Sequence, residues 1–114
     1  MSLKEKILIA DDSEMNQMLL EEILSDKYEY VMAKDGTEAV DILEKNDDID
    51  LVMLDINMPK MDGFGVLEVM NLRHWISEVP VIIISSENDV DFIRRSYDLG
   101  ASDYISRPFD LTVL

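Results

Sequence analysis

Three short apolar runs, each delivered straight into an acid or a hydroxyl, constrain this chain more than any other feature. Ile7, Leu8, Ile9 and Ala10 lead into Asp11 and Asp12, and Leu51, Val52, Met53 and Leu54 lead into Asp55. Val79 to Ile84, β-branched throughout except for Pro80, leads into Ser85 and Ser86. Continuous apolar runs of this length are too short for helices and read as strands buried on both faces. Two weaker strands flank them in the pattern. Tyr28 to Ala33 alternates loosely around Tyr30, Val31 and Met32, as an edge strand does, and Ser102 to Ser106 centres on Tyr104 and Ile105 before Arg107 and Pro108 end it.

The intervening segments change period. Met15, Leu19 and Ile23 recur at fours with Leu20 and Leu24 beside them, which predicts an amphipathic helix ending near Asp26. Asp35 followed by Glu38 resembles a capping box, opening a helix whose inner face is Ala39, Val40 and Leu43. Val66, Leu67 and Met70 share a third helical face, with Asp62 as its N-cap and Gly63 and Gly65 weakening the first turn. Val90, Ile93 and Tyr97 mark a fourth helix, closed by Gly100. Asp110 caps a last helix of which the sequence holds about one turn.

The order βαβαβαβαβ predicts an α/β fold: a doubly wound, five-stranded parallel sheet with helices on both faces and right-handed crossovers. At 114 residues there is one core and one domain. In such sheets the ligand site lies beyond the carboxyl ends of the strands, where the strand order reverses. Asp11 and Asp12, Asp55, Ser85 and Arg107 leave the first, third, fourth and fifth strands and should converge on one rim. Pro59 and Gly63 forbid an immediate helix after Asp55 and are expected to leave it presented to solvent in an open loop.

Carboxylates gathered there repel by on the order of 4 kcal/mol per pair at about 4 Å and an effective dielectric near 20. A hard divalent cation offsets this, and Mg²⁺ takes one or two carboxylates, waters, a backbone carbonyl and a phosphate oxygen. Asp55 is then a nucleophile able to carry a phosphoryl group, with the Ser85 hydroxyl and the Arg107 cation available to its oxygens.

Composition narrows the partners. A formal charge of −15, with only 10 Lys and Arg, argues against direct binding to nucleic acid or to an anionic membrane. Zero cysteines exclude disulfides, thiolate metal sites and cysteine nucleophiles. The first apolar run is too short for a signal-peptide core or a membrane span, so the expected location is the cytoplasm.

At these residues the chain resembles the receiver domains of bacterial two-component response regulators. The resemblance rests on ILIADDS, LVMLDINMPKMDG, PVIIISS and GASDYISRPF, four motifs in register across essentially the whole chain. It implies the flavodoxin-like strand order 2-1-3-4-5 with a truncated last helix, and a receiver domain over 1–114, the N-terminal part of a longer regulator. By the same resemblance Asp55 accepts phosphate from a histidine kinase or phosphotransfer protein. Asp11, Asp12, Asp55 and the Asn57 main-chain carbonyl hold Mg²⁺, Ser85 moves toward the phosphoryl group, and Tyr104 turns inward behind it. Asn57 and Glu87 border the path of the hydrolytic water, and their polarity implies that the phosphoryl group does not persist for many hours. The face of the fourth helix, fifth strand and fifth helix would bind an output domain or partner protein, with homodimerisation left open.

One position departs from the pattern: Arg107 stands where the family usually has Lys, replacing a compact ammonium with a planar fork. This motivates an alternative, a degenerate receiver acting as a constitutive interaction module. A third reading, an aspartyl-nucleophile phosphatase, lacks the second acid two residues beyond Asp55, where Asn57 stands. A calcium loop beginning at Asp55 is excluded by Lys60 and Val66 where that motif needs Gly and Glu. The lone His74 is read as a surface or packing residue, the eight methionines as mostly core filler, and Asp47 and Asp48 as solvated.

Overall fold

The computed structural model describes residues 5–24, 27–86 and 89–106. Within them the predicted alternation is present: β1 (Lys6–Ala10), α1 (Glu14–Leu24), β2 (Glu29–Ala33), α2 (Gly36–Lys45), β3 (Leu51–Leu54), α3 (Gly63–Leu72), β4 (Val81–Ser85), α4 (Val90–Asp98) and β5 (Asp103–Ser106). The strands form one parallel sheet in the order β2-β1-β3-β4-β5, so the winding reverses between β1 and β3. Asp26, Glu87, Arg107, Pro108 and the cap at Asp110 lie outside the described residues.

The central strands β1, β3 and β4 are apolar at nearly every position because each feeds two cores at once. Leu8, Ala10, Val52, Leu54, Val81 and Ile83 face the larger core, with Ala39 and Leu43 of α2 and Phe64, Val66, Leu67 and Met70 of α3. Ile7, Ile9, Met53 and Ile84 point the other way and meet Leu20 of α1. Side chains alternate along a strand, so a single run divides between two layers.

Three expectations need correction. On α1 the buried residue is Leu20, while Met15 is 79% exposed and Met18 68%. Met15 lies about 140° round the helix from Leu20, too far to share its face. These two methionines are therefore not core filler. On α4, Val90 and Tyr97 are exposed, and the inner face is instead Phe92, Ser96 and Leu99. Ser96 is buried because its hydroxyl donates to the Phe92 carbonyl at 2.8 Å, which satisfies a polar group that a hydrophobic pattern passes over. Finally, β4 starts at Val81: Val79 donates its N–H to Trp75 in a short 3-10 helix (Trp75–Ser77), and α3 has already ended before His74, which is exposed and left-handed (φ 63°).

Candidate functional site

The site is assembled where β1 and β3, neighbours in space and separated in sequence, stop. Pairing runs to Ala10 opposite Leu54, and Asp55 then donates its N–H to the Ala10 carbonyl at 2.9 Å. Asp11 donates its N–H to Ala33 at the end of β2, while its Oδ1 accepts the Ser13 N–H at 2.9 Å. Both acids are thus held by backbone bonds across three strands. One oxygen from each of Asp11, Asp12 and Asp55 lies within 4.8 Å of the others. Asp11 and Asp55 are buried, at 2% and 5% exposure, and Asp12 is exposed.

The expectation that Asp55 stands in an open loop facing solvent is corrected by this burial. Ile56 and Met58 turn into the larger core, and Gly63 closes the loop by donating its N–H to Ile56 at 2.8 Å. A Cβ at Gly63 would collide with the Asp55 carbonyl oxygen and lie 2.9 Å from the Ile56 Cα, so glycine is what lets α3 start directly against the phosphoacceptor candidate's own peptide. Asp62 caps α3 by accepting the Gly65 N–H at 2.8 Å.

The remaining predicted residues divide into two groups. Ser85 ends β4, fully buried, two residues beyond the Ile83–Leu54 pair, and so leaves the sheet at the same end as Asp55. Tyr104 lies in β5 opposite Ile83, half-buried against the larger core. Asn57 is exposed in the β3–α3 loop. Arg107 and Glu87 fall outside the described residues; of the others the structure brings together Asp11, Asp12 and Asp55, while Ser85 ends a strand at the same end of the sheet and Asn57 lies two residues past Asp55.

Two parts of the surroundings escape sequence reasoning. Gln17 on α1 reaches back to donate its side-chain amide to the Asp11 carbonyl and, at 3.5 Å, to that of Ala33. A lone glutamine in an amphipathic helix carries no signal of such a bond. Asp35 is legible as a cap but does more. Its carboxylate accepts from the Thr37 hydroxyl at 2.6 Å and the Glu38 N–H at 2.8 Å, and lies 3.8 Å from the Lys60 ammonium in the β3–α3 loop. Chiefly the Thr37 hydroxyl, then the Glu38 N–H and the Lys60 charge, hold its carboxyl below the usual carboxylate range, against the opposing effect of burial.

Chemically, the rim offers, among the described residues, hard oxygen donors, with two of the three carboxylates buried and all three close together. That donor set fits a small divalent cation such as Mg²⁺, which prefers carboxylate and carbonyl oxygen, and it does not fit a soft metal.

A doubly wound parallel sheet with an aspartate cluster over its switch point defines a class: small α/β domains whose site is built from strand-end acids. The chain belongs to the response regulator receiver domain family, whose model matches residues 7–114. It is 40% identical over 111 residues to the response regulator RR06 of Streptococcus pneumoniae serotype 2 (strain D39 / NCTC 7466), covering 95% of this chain and 48% of that protein. It is 38% identical over 110 residues to the sporulation initiation phosphotransferase F of Bacillus subtilis (strain 168), covering 96% of this chain and 86% of that one. Among solved structures it resembles the Mn²⁺-bound form of the response regulator Rcp1, with a TM-score of 0.85, 27% identity, and coverage of 96% and 86%. The chain spans about half the length of several curated relatives it matches. The family is one of regulatory signalling domains, and no helix among the described residues is long and apolar enough to cross a membrane.

Proposed function

We propose that this domain is a phosphorylation-dependent switch in which Asp55 accepts a phosphoryl group from a histidine kinase or phosphotransfer protein. The observation that carries this reading is the convergence of three carboxylate oxygens within 4.8 Å at the β1/β3 rim, with Asp55 and Asp11 buried. Asp11, Asp12, Asp55 and the main-chain carbonyl of Asn57 would hold Mg²⁺. When bound, the cation supplies positive charge against the triad and against incoming phosphoryl oxygens. A carboxylate oxygen of Asp55 forms the new bond to phosphorus while the donor's phosphorus–nitrogen bond breaks, and water later releases inorganic phosphate from the acyl phosphate.

The other residues take roles around that bond. The Ser85 hydroxyl donates to a phosphoryl oxygen, Arg107 supplies a guanidinium to another, and Tyr104 fills the space that Ser85 vacates. Asn57 and Glu87 set how readily water reaches the phosphorus. The domain acts on itself alone, gaining and losing its own phosphoryl group, and signals from the cytoplasm to an output domain or partner protein. Its similarity in sequence to RR06 and phosphotransferase F, and in fold to a Mn²⁺-bound regulator, supports both the phosphoryl and the metal parts of this reading.

The test is incubation with Mg²⁺ and acetyl phosphate or beryllofluoride, with mass spectrometry and amide NMR as readouts. A modification or structural response that Asp55→Asn abolishes supports the switch. No response at millimolar Mg²⁺ would favour a constitutive interaction module, and many turnovers on a small phosphoester would favour a phosphatase.

A further inference from the structure

The corner between β2 and α2 holds none of the proposed metal ligands, yet it touches both loops that do. On one side the Ala33 carbonyl accepts the Asp11 N–H at 3.0 Å and the Gln17 amide at 3.5 Å. On the other, Gly36 donates its N–H to the Met61 carbonyl at 3.0 Å, and Asp35 faces Lys60 at 3.8 Å. Met61 and Lys60 belong to the same loop as Asn57, which Gly63 ties back to Ile56. The fit is tight: a Cβ at Gly36 would overlap the Met61 carbonyl oxygen and lie 2.7 Å from the Met61 Cβ, both held by the backbone of the neighbouring loop. Lys60, in turn, holds a left-handed conformation (φ 67°), which a residue with a side chain adopts only where its surroundings impose it.

We infer that the β2–α2 corner, through Gly36 against Met61 and Asp35 against Lys60, is a positioning element for the cation site: it sets where the Asn57 part of the β3–α3 loop sits relative to the loop of Asp11 and Asp12, Asp55 itself being placed by its bond to Ala10. The inference rests on the reading of that rim as a Mg²⁺ site. Supporting residues of this kind change metal affinity because the cation accepts only a narrow range of ligand spacings, and octahedral Mg²⁺ tolerates the least. Gly36 is the sharpest probe. Alanine at the start of a helix is ordinarily favourable, so harm from Gly36→Ala would have to come through Met61.

The experiment measures Mg²⁺ affinity by calorimetric titration with the metal alone, at a temperature where every variant is folded by circular dichroism. It compares the wild type with Gly36→Ala, Asp35→Gly, Leu43→Ala and Asp12→Asn. Asp35→Gly removes the carboxylate while keeping a residue that still tolerates the N-cap position, so it reports if Gly36→Ala does not fold. Leu43 is on the core face of the same helix, about two turns from the corner, so Leu43→Ala loses stability without touching the corner. Gly36→Ala should weaken Mg²⁺ binding about ten-fold and Asp35→Gly about three-fold, while Leu43→Ala stays within about two-fold of the wild type. Without metal, the amide shifts of Asn57 and Met58 should move in Gly36→Ala and not in Leu43→Ala. If the folded corner variants bind Mg²⁺ like the wild type, or if Leu43→Ala weakens binding as much as they do, the positioning inference is overturned while the site stands. If the wild type binds no Mg²⁺, or Asp12→Asn leaves binding unchanged, the underlying site reading fails instead.

Discussion

Two groups of aspartates sit at neighbouring corners of this fold and live in opposite circumstances. Asp35 is a buried acid surrounded by donors: a hydroxyl, a backbone N–H and, farther off, an ammonium. Asp11, Asp12 and Asp55 face one another, with oxygens within 4.8 Å. The first arrangement stabilises the charged carboxylate and, with it, the helix it caps. The second places like charges together, which costs folding free energy that a bound cation would offset. Burial of an acid therefore does not by itself distinguish structure from function; the crowding of several carboxylates at one place is the feature that sets the rim apart.

That contrast can be broken at several points. The largest effect should follow Asp55→Asn, which is expected to abolish incorporation of phosphate from acetyl phosphate while leaving the far-ultraviolet circular dichroism unchanged. Incorporation at an unchanged level would place the phosphoacceptor elsewhere. Asp35→Ala should act in the opposite way, leaving phosphorylation measurable while lowering Tm by several degrees, because it strips the cap from α2. A Tm equal to the wild type's would remove Asp35 from the stabilising side of the comparison.

The pH dependence sharpens the same point. Asp35 has its carboxyl held below the ordinary value, so its contribution is fully present above the unfolded carboxylate value and is lost as pH falls through the folded one. Thermal melts from neutral pH downward should therefore show a steeper acid loss in the wild type than in Asp35→Asn, which keeps a cap acceptor without a titrating group. Parallel acid limbs would contradict the assignment. The smallest effect is expected for Lys60→Ala. The Lys60 side chain is 70% exposed at 3.8 Å from Asp35, a geometry in which screening leaves an ion pair little, so Tm should shift by no more than about 1 °C.

Much of this molecule is legible in its amino-acid sequence. Three apolar runs ending in Asp11, Asp55 and Ser85 are enough to identify the sheet's central strands, because strands buried on both faces leave no other pattern. The same physics explains where the sequence misleads. The outward turn of Met15 and Tyr97 depends on which arc of a helix meets the sheet, and a stripe of apolar residues does not specify that arc when a buried serine such as Ser96 can take a core position. The burial of Asp55 is hidden because Pro59 and Gly63 signal a break in helix, and nothing in them says that Ile56 and Met58 fold the loop inward. Gln17 and the Gly36–Met61 contact are invisible for a related reason: both are contacts to backbone carbonyls, made through the folded arrangement of separate segments, and no residue type announces them.

Thermal melts of the wild type and Asp12→Asn, with and without millimolar Mg²⁺, show whether like charge strains the rim and a cation completes it. Removing one charge of the triad should raise Tm by about 4 °C in the absence of metal. Because a ligand stabilises the fold only as far as it binds, added Mg²⁺ should raise the wild type's Tm and leave the variant's nearly unchanged, so that the gap closes. A variant less stable than the wild type without metal, together with equal shifts on adding Mg²⁺, would mean that the three carboxylates neither strain the fold nor hold the cation.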